Sequence, residues 1–190
     1  YGLYEISDDV REVVEKACDN LASLGCEVEE VNLDLGISKK DLARAFSGMW
    51  CVKYAANYGH LYDKAPENFS ENIAKMIAVG RKLSAVDYRT IEFSRTKVWK
   101  AIQSILNNYQ FIISPTLAST AFEHHLTGPS QINGKTINPQ TDWMMTQIYN
   151  LTGHPAASLP IGLTSSRLPV GLQVVGSRFA DRLVLQLCHN

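Results

Sequence analysis

The stretch Y-N-L-T-G-H-P-A-A-S-L-P-I-G at residues 149–162, followed by L-P-V-G-L-Q-V-V-G at residues 168–176, decides the fold of this chain. Gly153 and Pro155 mark a turn after a helical segment, and the apolar residues behind this turn predict a strand. Further proline and glycine residues mark a second turn before the nearly uniform apolar run at residues 170–175, which is typical of an interior strand. This succession of helix, turn and strands predicts an α/β fold in which helices flank a mixed sheet.

Helix and strand signals continue over the rest of the chain. Apolar residues in steps of three and four predict the helices, and Ser38 with Asp41 and Ser84 with Asp87 match capping boxes at two helix starts. Gly59 is expected to end the second helix and open a loop. The predicted helices are residues 8–24 (with Asp8 as the cap), 39–58, 70–80, 84–108, 142–152 and 182–189; the predicted strands are residues 26–33, 111–114, 156–159 and 170–175, and Asn133-Gly134 predicts a hairpin turn.

Arg95 interrupts the apolar stripe of the longest predicted helix. The stripe passes through Ile91, Val98 and Ile102, and Arg95 occupies a position between the first two where another apolar residue is due. A guanidinium on a buried helix face needs a partner. Arg95 is therefore a candidate either for binding a ligand or for pairing with an internal carboxylate.

The composition is that of a globular protein. The chain has 190 residues, of which 45% are hydrophobic, and 18 basic residues are scattered among 19 acidic ones, which argues against a nucleic-acid groove. No apolar stretch approaches the ~20 residues of a membrane span, so we expect neither nucleic acid nor membrane as a partner. Four cysteines without C-x-x-C spacing and the lack of a leader favour a reducing cytoplasm. Because the chain begins with Tyr1 directly before a helix signal, we expect it to belong to a longer polypeptide.

The sequence carries no self-contained catalytic motif. It has no G-x-S-x-G element, and Ser94 with Lys97 matches S-x-x-K without the K-T-G or S-D-N elements that would accompany it. The histidines lack the spacing of a metal-binding helix, and no glycine-rich phosphate loop is present. We therefore predict no metal and no cofactor.

The quoted stretch resembles the C-terminal portion of the amidase-signature family, in which N-L-T-G-x-P-A-x-S-x-P-x-G precedes P-V-G-x-Q-x-x-G. The position of Arg95 upstream of Pro115-Thr116 resembles the same family, as does the L-x-x-L-G-x-x-V-E-E-V pattern of the first predicted helix and strand. The resemblance implies that residues 1–190 are the C-terminal portion of a single amidase domain. The N-terminal catalytic portion would then lie outside this chain.

The resemblance also implies a function for the parent protein. The family hydrolyses linear carboxylic amides through a serine, a second serine in a cis peptide and a lysine, and no Gly/Ser-rich signature of that kind occurs here. Without the activated nucleophile we expect no catalytic residue in this chain and no activity from it alone. Its expected contribution is a pocket that positions a small-molecule amide and excludes water, in partnership with the missing N-terminal half.

The candidate substrate-binding residues are Arg95, Trp143, Met144, Thr146 and Asn150. In the glutamine-using tRNA amidotransferase branch, the matching arginine faces a substrate carboxylate and an acidic residue faces the substrate amino group. The acidic site falls on Trp143, with Asp142 one place away, which argues against glutamine and favours an apolar or aromatic amide. Two alternatives remain open, since Trp143 also suits a hydrophobic core and Asn150 also suits the turn after the helix.

Two other functions remain open for the parent protein. One is the A subunit of a glutamine-dependent tRNA amidotransferase, and the other is a non-catalytic binding or scaffold module. A sheet shared with a missing half would expose an apolar strand edge in the isolated chain. The sequence therefore also leaves open a homo-oligomer.

Overall fold

The computed structural model describes residues 1–189 and confirms the mixed α/β class. The helices are α1 (Asp8–Ser23), α2 (Lys39–Tyr62), α3 (Glu71–Lys82), α4 (Ala85–Leu106), α5 (Gln147–Thr152) and α6 (Asp181–His189), with a 3-10 turn at Pro66–Asn68; the strands are β1 (Phe111–Pro115), β2 (Gln131–Ile132), β3 (Lys135–Thr136), β4 (Ala156–Leu163) and β5 (Pro169–Gly176). The chain divides into two compact units. The first contains Tyr1–Leu35 and the residues from Lys100 onward, and the second contains Gly36–Trp99.

A three-stranded antiparallel sheet in the order β1, β5, β4 forms the centre of the first unit. The apolar run of β5 lies between the other two strands, as its composition predicts, and Leu172 stands opposite both Pro115 and Leu159. The register of β4 shifts between Pro160 and Gly162. Both sheets in the described part of the chain are antiparallel, so the parallel pairs that a mixed sheet requires are not formed within it.

The two faces of this sheet differ in chemistry. On one face, α1 and α6 pack against a buried cluster of Leu172, Val174 and Val184. Burying a side chain of this size contributes about 1.5–3 kcal/mol, so this layer is a principal source of stability. On the other face, successive strands present the polar side chains of Ser114 and Gln173, whose Oγ and Nε2 atoms lie 3.4 Å apart. The helix-covered face is therefore apolar, whereas the opposite face carries these polar side chains beside the buried Ile112 and Val175.

The predicted hairpin is present and also anchors α1. Asn133 and Gly134 have φ values of 49° and 75°, the positive values that a two-residue type I′ turn requires. The Oδ1 atom of Asn133 accepts a hydrogen bond from the backbone N of Asp8 at 3.2 Å, and its Nδ2 atom donates to the Ile6 carbonyl at 3.0 Å. The prediction that Asp8 caps α1 is wrong, because the cap position is Ser7 and a turn residue from elsewhere in the chain satisfies the helix N-terminus.

The second unit is built on the pairing of α2 with α3. A Cβ atom at Gly80 would overlap the carbonyl of Cys51, so the backbones of the two helices approach closely at this point. The capping box at Ser84 is formed, with the backbone N of Ser84 donating to Asp87 Oδ2 at 3.0 Å, and Ser38 caps its helix through its side chain. The backbone N of Asp41 donates to Ser38 Oγ at 3.1 Å, and the backbone N of Asp87 donates to Ser84 Oγ at 3.1 Å.

The prediction that Gly59 ends α2 is wrong. The helix continues to Tyr62, so the first residues of the predicted loop 59–69 are helical. Gly59 is buried, and its carbonyl accepts a hydrogen bond from Arg81 Nη2 at 2.9 Å. The same guanidinium binds both carboxylate oxygens of Asp63, at 2.9 and 2.7 Å. A glycine is tolerated inside this helix because the arginine from α3 occupies the space beside it.

Two other predicted elements differ from the structure. Residues 26–33 do not form a strand; residues 26–30 are exposed, and Glu29 instead accepts a hydrogen bond from the Tyr109 hydroxyl at 2.5 Å. The helix predicted over residues 142–152 begins only at Gln147. The Trp143 carbonyl, which a helix would use internally, accepts instead from the backbone N of Ala118 at 3.0 Å.

Candidate functional site

Four of the five predicted site residues lie in one segment, between the hairpin and β4. Trp143, Met144 and Thr146 are each half-buried, and Asn150 is exposed on α5. The neighbouring Met145 is only 3% exposed and belongs to the hydrophobic core beneath this segment. Met145 therefore belongs to the core, whereas Met144 is exposed enough to line a pocket.

Trp143 is held in place from more than one side. Its Nε1 atom donates a hydrogen bond to the Pro139 carbonyl at 2.8 Å. The ring of Phe122 meets the indole edge to face, with 5.0 Å between the ring centroids and 77° between the planes. The indole also packs on the buried cluster that contains Ala118 and Met145. Trp143 is thus both the rim of a core and a partly exposed aromatic surface.

Thr146 and Asn150 are connected to each other through the first turn of α5. The Thr146 carbonyl accepts hydrogen bonds from the backbone N and from the side-chain Nδ2 of Asn150, both at 3.1 Å. The helix ends at Gly153, whose φ of 70° is left-handed and whose backbone N donates to the Tyr149 carbonyl at 2.8 Å. The side-chain amide of Asn150 therefore stabilises the helix, which favours the turn-shaping role left open above.

Arg95 belongs to the second unit and is described by itself. It lies on the face of α4 that carries Ile91 and Val98, which are 3% and 0% exposed. The Arg95 side chain is half-buried, as the interruption of the apolar stripe predicts. Its role in binding substrate stays a prediction.

A cluster of buried phenols lies next to this segment and was not predicted. The hydroxyls of Tyr1 and Tyr149 are hydrogen-bonded to each other, and Gln147 Nε2 donates to the Tyr4 hydroxyl at 2.6 Å. Burial raises the pKa of Tyr149 well above its ordinary value and also raises the pKa of Tyr4. These phenols are therefore neutral hydrogen-bonding groups at neutral pH. Only Tyr149 lies in the stretch that decides the fold, and no sequence pattern indicates that Tyr1 and Tyr4 lie close to it.

His154 joins the turn after α5 to the end of α4. Its Nδ1 atom lies 2.8 Å from Thr152 Oγ1, and its Nε2 atom lies 3.5 Å from Gln103 Oε1. Burial, and then the nearby charge of Arg178, lower the pKa of His154, which favours the neutral imidazole. Among residues 1–189 no group of three or more His, Cys, Asp or Glu side chains is arranged to hold a metal ion.

A hydroxyl pair lies on the face of the sheet that carries Ser114 and Gln173. Thr116 Oγ1 and Ser158 Oγ are 2.7 Å apart. A Cβ atom at Gly171, on the strand between them, would stand 2.8 Å from both oxygens. The glycine of the P-V-G-L-Q segment therefore provides the space in which two strands share a hydrogen bond.

Comparison with known proteins identifies the family. The model of the Amidase family matches residues 1–185, and the chain belongs to that family. The chain is 28% identical over 191 aligned positions to an acylamidase of Rhodococcus erythropolis, covering all of this chain and 39% of that protein. It is 30% identical over 205 positions to the A subunit of the glutamyl-tRNA(Gln) amidotransferase of Limosilactobacillus reuteri, covering 94% of this chain and 40% of that protein.

Solved structures agree with this assignment. A bacterial aryl acylamidase of the amidase-signature enzyme family superposes with a TM-score of 0.84 at 28% identity, over 97% of this chain and 40% of that one. This chain thus spans about two fifths of the length of the relatives that it matches. Within residues 1–189, no helix combines the length and apolar character needed to cross a membrane.

Proposed function

We propose that this chain forms the substrate-pocket part of an amide hydrolase, which cleaves a linear carboxylic amide through a Ser–cis-Ser–Lys triad outside these residues. The observation that carries the proposal is the placement of Trp143, half-buried and fixed edge to face against Phe122. Family membership supports the reaction class, and the lack of a Gly/Ser-rich signature in this sequence supports a triad located elsewhere.

The aromatic wall favours an apolar or aromatic amide. Trp143 stands where the glutamine-using branch carries an acidic residue, and an indole cannot form an ion pair with a substrate amino group. Trp143 and the half-buried Met144 instead offer apolar surface, which lines most small-molecule sites and excludes water from the reacting carbonyl. Holding the amide in attack geometry is the catalytic contribution that we assign to this chain.

A second candidate function is supported by the relatives themselves. The A subunits of tRNA amidotransferases are 28–30% identical to nearly the whole chain. This function requires a site for glutamine, with which Trp143 fits poorly. A non-catalytic scaffold would keep the same fold without the triad.

The proposal includes partners and location. The outer strands β1 and β4 would pair with, or lie beside, strands of an N-terminal half, and the amide would bind between chain segments in the cytoplasm. A homo-oligomer is compatible with such a protein.

The coding sequence upstream of Tyr1 tests the proposal first. A Gly/Ser-rich segment with a lysine before it supports hydrolysis, and replacing the nucleophilic serine of that segment by alanine should then abolish the release of ammonia or amine. An upstream sequence without these residues would support the scaffold. A glutaminase assay on the full-length protein distinguishes the amidotransferase from the amidase.

A further inference from the structure

The indole of Trp143 is partly enclosed by the chain that follows β1. Phe122 contacts one side of the ring system, and the Pro139 carbonyl accepts the indole N–H. Gly128 completes this partial enclosure. A Cβ atom built at Gly128 would overlap both the Pro139 carbonyl and Trp143 Nε1, and would lie 2.7 Å from Trp143 Cδ1.

Gly128 is required for space and not for backbone freedom. Its φ is not in the left-handed region, and the residue is buried. The atoms that a side chain would meet belong to a backbone carbonyl and to a rigid ring, neither of which can move aside as a flexible side chain would. The absence of a side chain at this position therefore allows the indole to lie where it does, and any larger residue would displace it.

Phe122 is the aromatic anchor of an otherwise exposed loop. Its neighbours Ala121 and Glu123 are exposed, and so are residues 124–127, whereas Phe122 is half-buried. Edge-to-face contact is the favoured geometry of two aromatic rings, so the ring of Phe122 sets the tilt of the indole as well as its position.

The hydrogen bond to Pro139 limits what Trp143 can recognise. An indole has a single hydrogen-bond donor, and that donor is used by the Pro139 carbonyl. The exposed part of Trp143 therefore offers only ring surface to a ligand. A ring of fixed tilt binds a flat aromatic group by stacking or edge contact, whereas a flexible aliphatic chain gains little from its orientation.

We propose that Phe122 and Gly128 are positioning residues that fix the tilt of Trp143, and that this tilt selects amides with an aromatic group over aliphatic amides of similar size. This inference rests on the proposed function, since it names the substrate class of the same pocket.

The test uses the full-length protein with Phe122→Leu and Gly128→Ala. We expect each variant to lower kcat/KM for an anilide at least fivefold, mainly through KM, while kcat/KM for hexanamide changes less than twofold. Phe122→Tyr, which restores the ring, should restore the preference for the anilide. Leu126→Ala on the same loop, at a side chain that is 45% exposed, is the matched control and should leave both substrates unaffected. Equal losses for both substrates, or no loss, would overturn the inference.

A second measurement keeps the inference independent of activity. In each background, the near-ultraviolet circular dichroism of Trp143 is obtained as the difference between the protein with Trp143 and the same protein with Trp143→Phe. This difference should change in the Phe122→Leu and Gly128→Ala backgrounds and should stay the same in the Leu126→Ala background. If the wild-type protein hydrolyses no amide, the proposed function fails, but the positioning role is still decided by this signal. An unchanged signal in a folded Phe122→Leu variant would refute the positioning role even if Gly128→Ala does not fold.

Discussion

The side-chain oxygens of Thr116 and Ser158 lie 2.7 Å apart across Gly171, which leaves room for both because it has no side chain. The pair joins the end of β1 to β4 over the central strand. Thr116 directly follows β1, so the hydrogen bond connects β4 to the end of a strand that is not its neighbour in the sheet.

Replacing Gly171 by alanine should separate this pair. The new methyl group would stand 2.8 Å from each oxygen, so we expect the free energy of unfolding to fall by about 1–3 kcal/mol, the usual cost of overpacking. Denaturant unfolding of the full-length protein measures this change. In a Ser158→Ala background the same substitution should cost less, because one of the two oxygens is gone; strictly additive costs would contradict the steric explanation.

Tyr149 should make the protein sensitive to alkaline pH. Burial raises the pKa of Tyr149 in the folded state, whereas an unfolded tyrosine ionises near pH 10. Above about pH 10 the unfolded state therefore binds fewer protons than the folded state, and stability falls as pH rises. Urea unfolding at pH 9 and pH 11 should show a smaller loss for Tyr149→Phe than for the wild-type protein. Tyr58→Phe, at a residue that is 43% exposed, is the control; identical losses in all three proteins would exclude this explanation.

Arg95 is expected to contribute to substrate binding. If the half-buried guanidinium faces the ligand, Arg95→Ala should lower kcat/KM more than tenfold for at least one amide, which corresponds to about 1.4 kcal/mol of transition-state stabilisation. Arg89→Ala on the same helix removes an exposed guanidinium that pairs with Glu92 at 2.7 Å, and it serves as the control. A change of less than threefold for every amide in the Arg95 variant would assign this residue to structure alone.

The isolated chain should associate with itself. The strands β1 and β4 are the outer strands of the sheet in the first unit, and within residues 1–189 no further strand pairs with their outer sides. Size-exclusion chromatography of residues 1–190 is therefore expected to show oligomers or aggregates. A well-behaved monomer at micromolar concentration would show that these edges do not need another strand.

Elements with strong local signals could be predicted from the sequence. The hairpin follows from Asn133-Gly134 because few other dipeptides adopt two successive positive φ values, and β5 follows from its uninterrupted apolar run. The helix starts at Ser38 and Ser84 follow from cap residues whose hydrogen-bond partners lie within four residues. In each of these cases the determining contacts are close in sequence.

The errors arise where distant residues decide the local structure. The start of α5 is delayed because Ala118 takes the Trp143 carbonyl, and α2 continues through Gly59 because Arg81 from another helix binds beside it. For the candidate site, the sequence predicted Trp143 as a site residue but gave no signal for its contact with Phe122, since no spacing rule connects two residues 21 positions apart. The side chains that surround a candidate site residue are set by contacts between distant parts of the sequence, whereas most helix starts are set by neighbouring residues.

The most direct measurement compares the hydrolysis of an anilide and of glutamine by the full-length protein and by its Trp143→Ala variant. If Trp143 forms the wall of an amidase pocket, kcat/KM for the anilide exceeds that for glutamine at least tenfold, and the variant loses at least tenfold on the anilide. Faster hydrolysis of glutamine, or a variant that cleaves the anilide within threefold of the wild-type rate, would contradict this function.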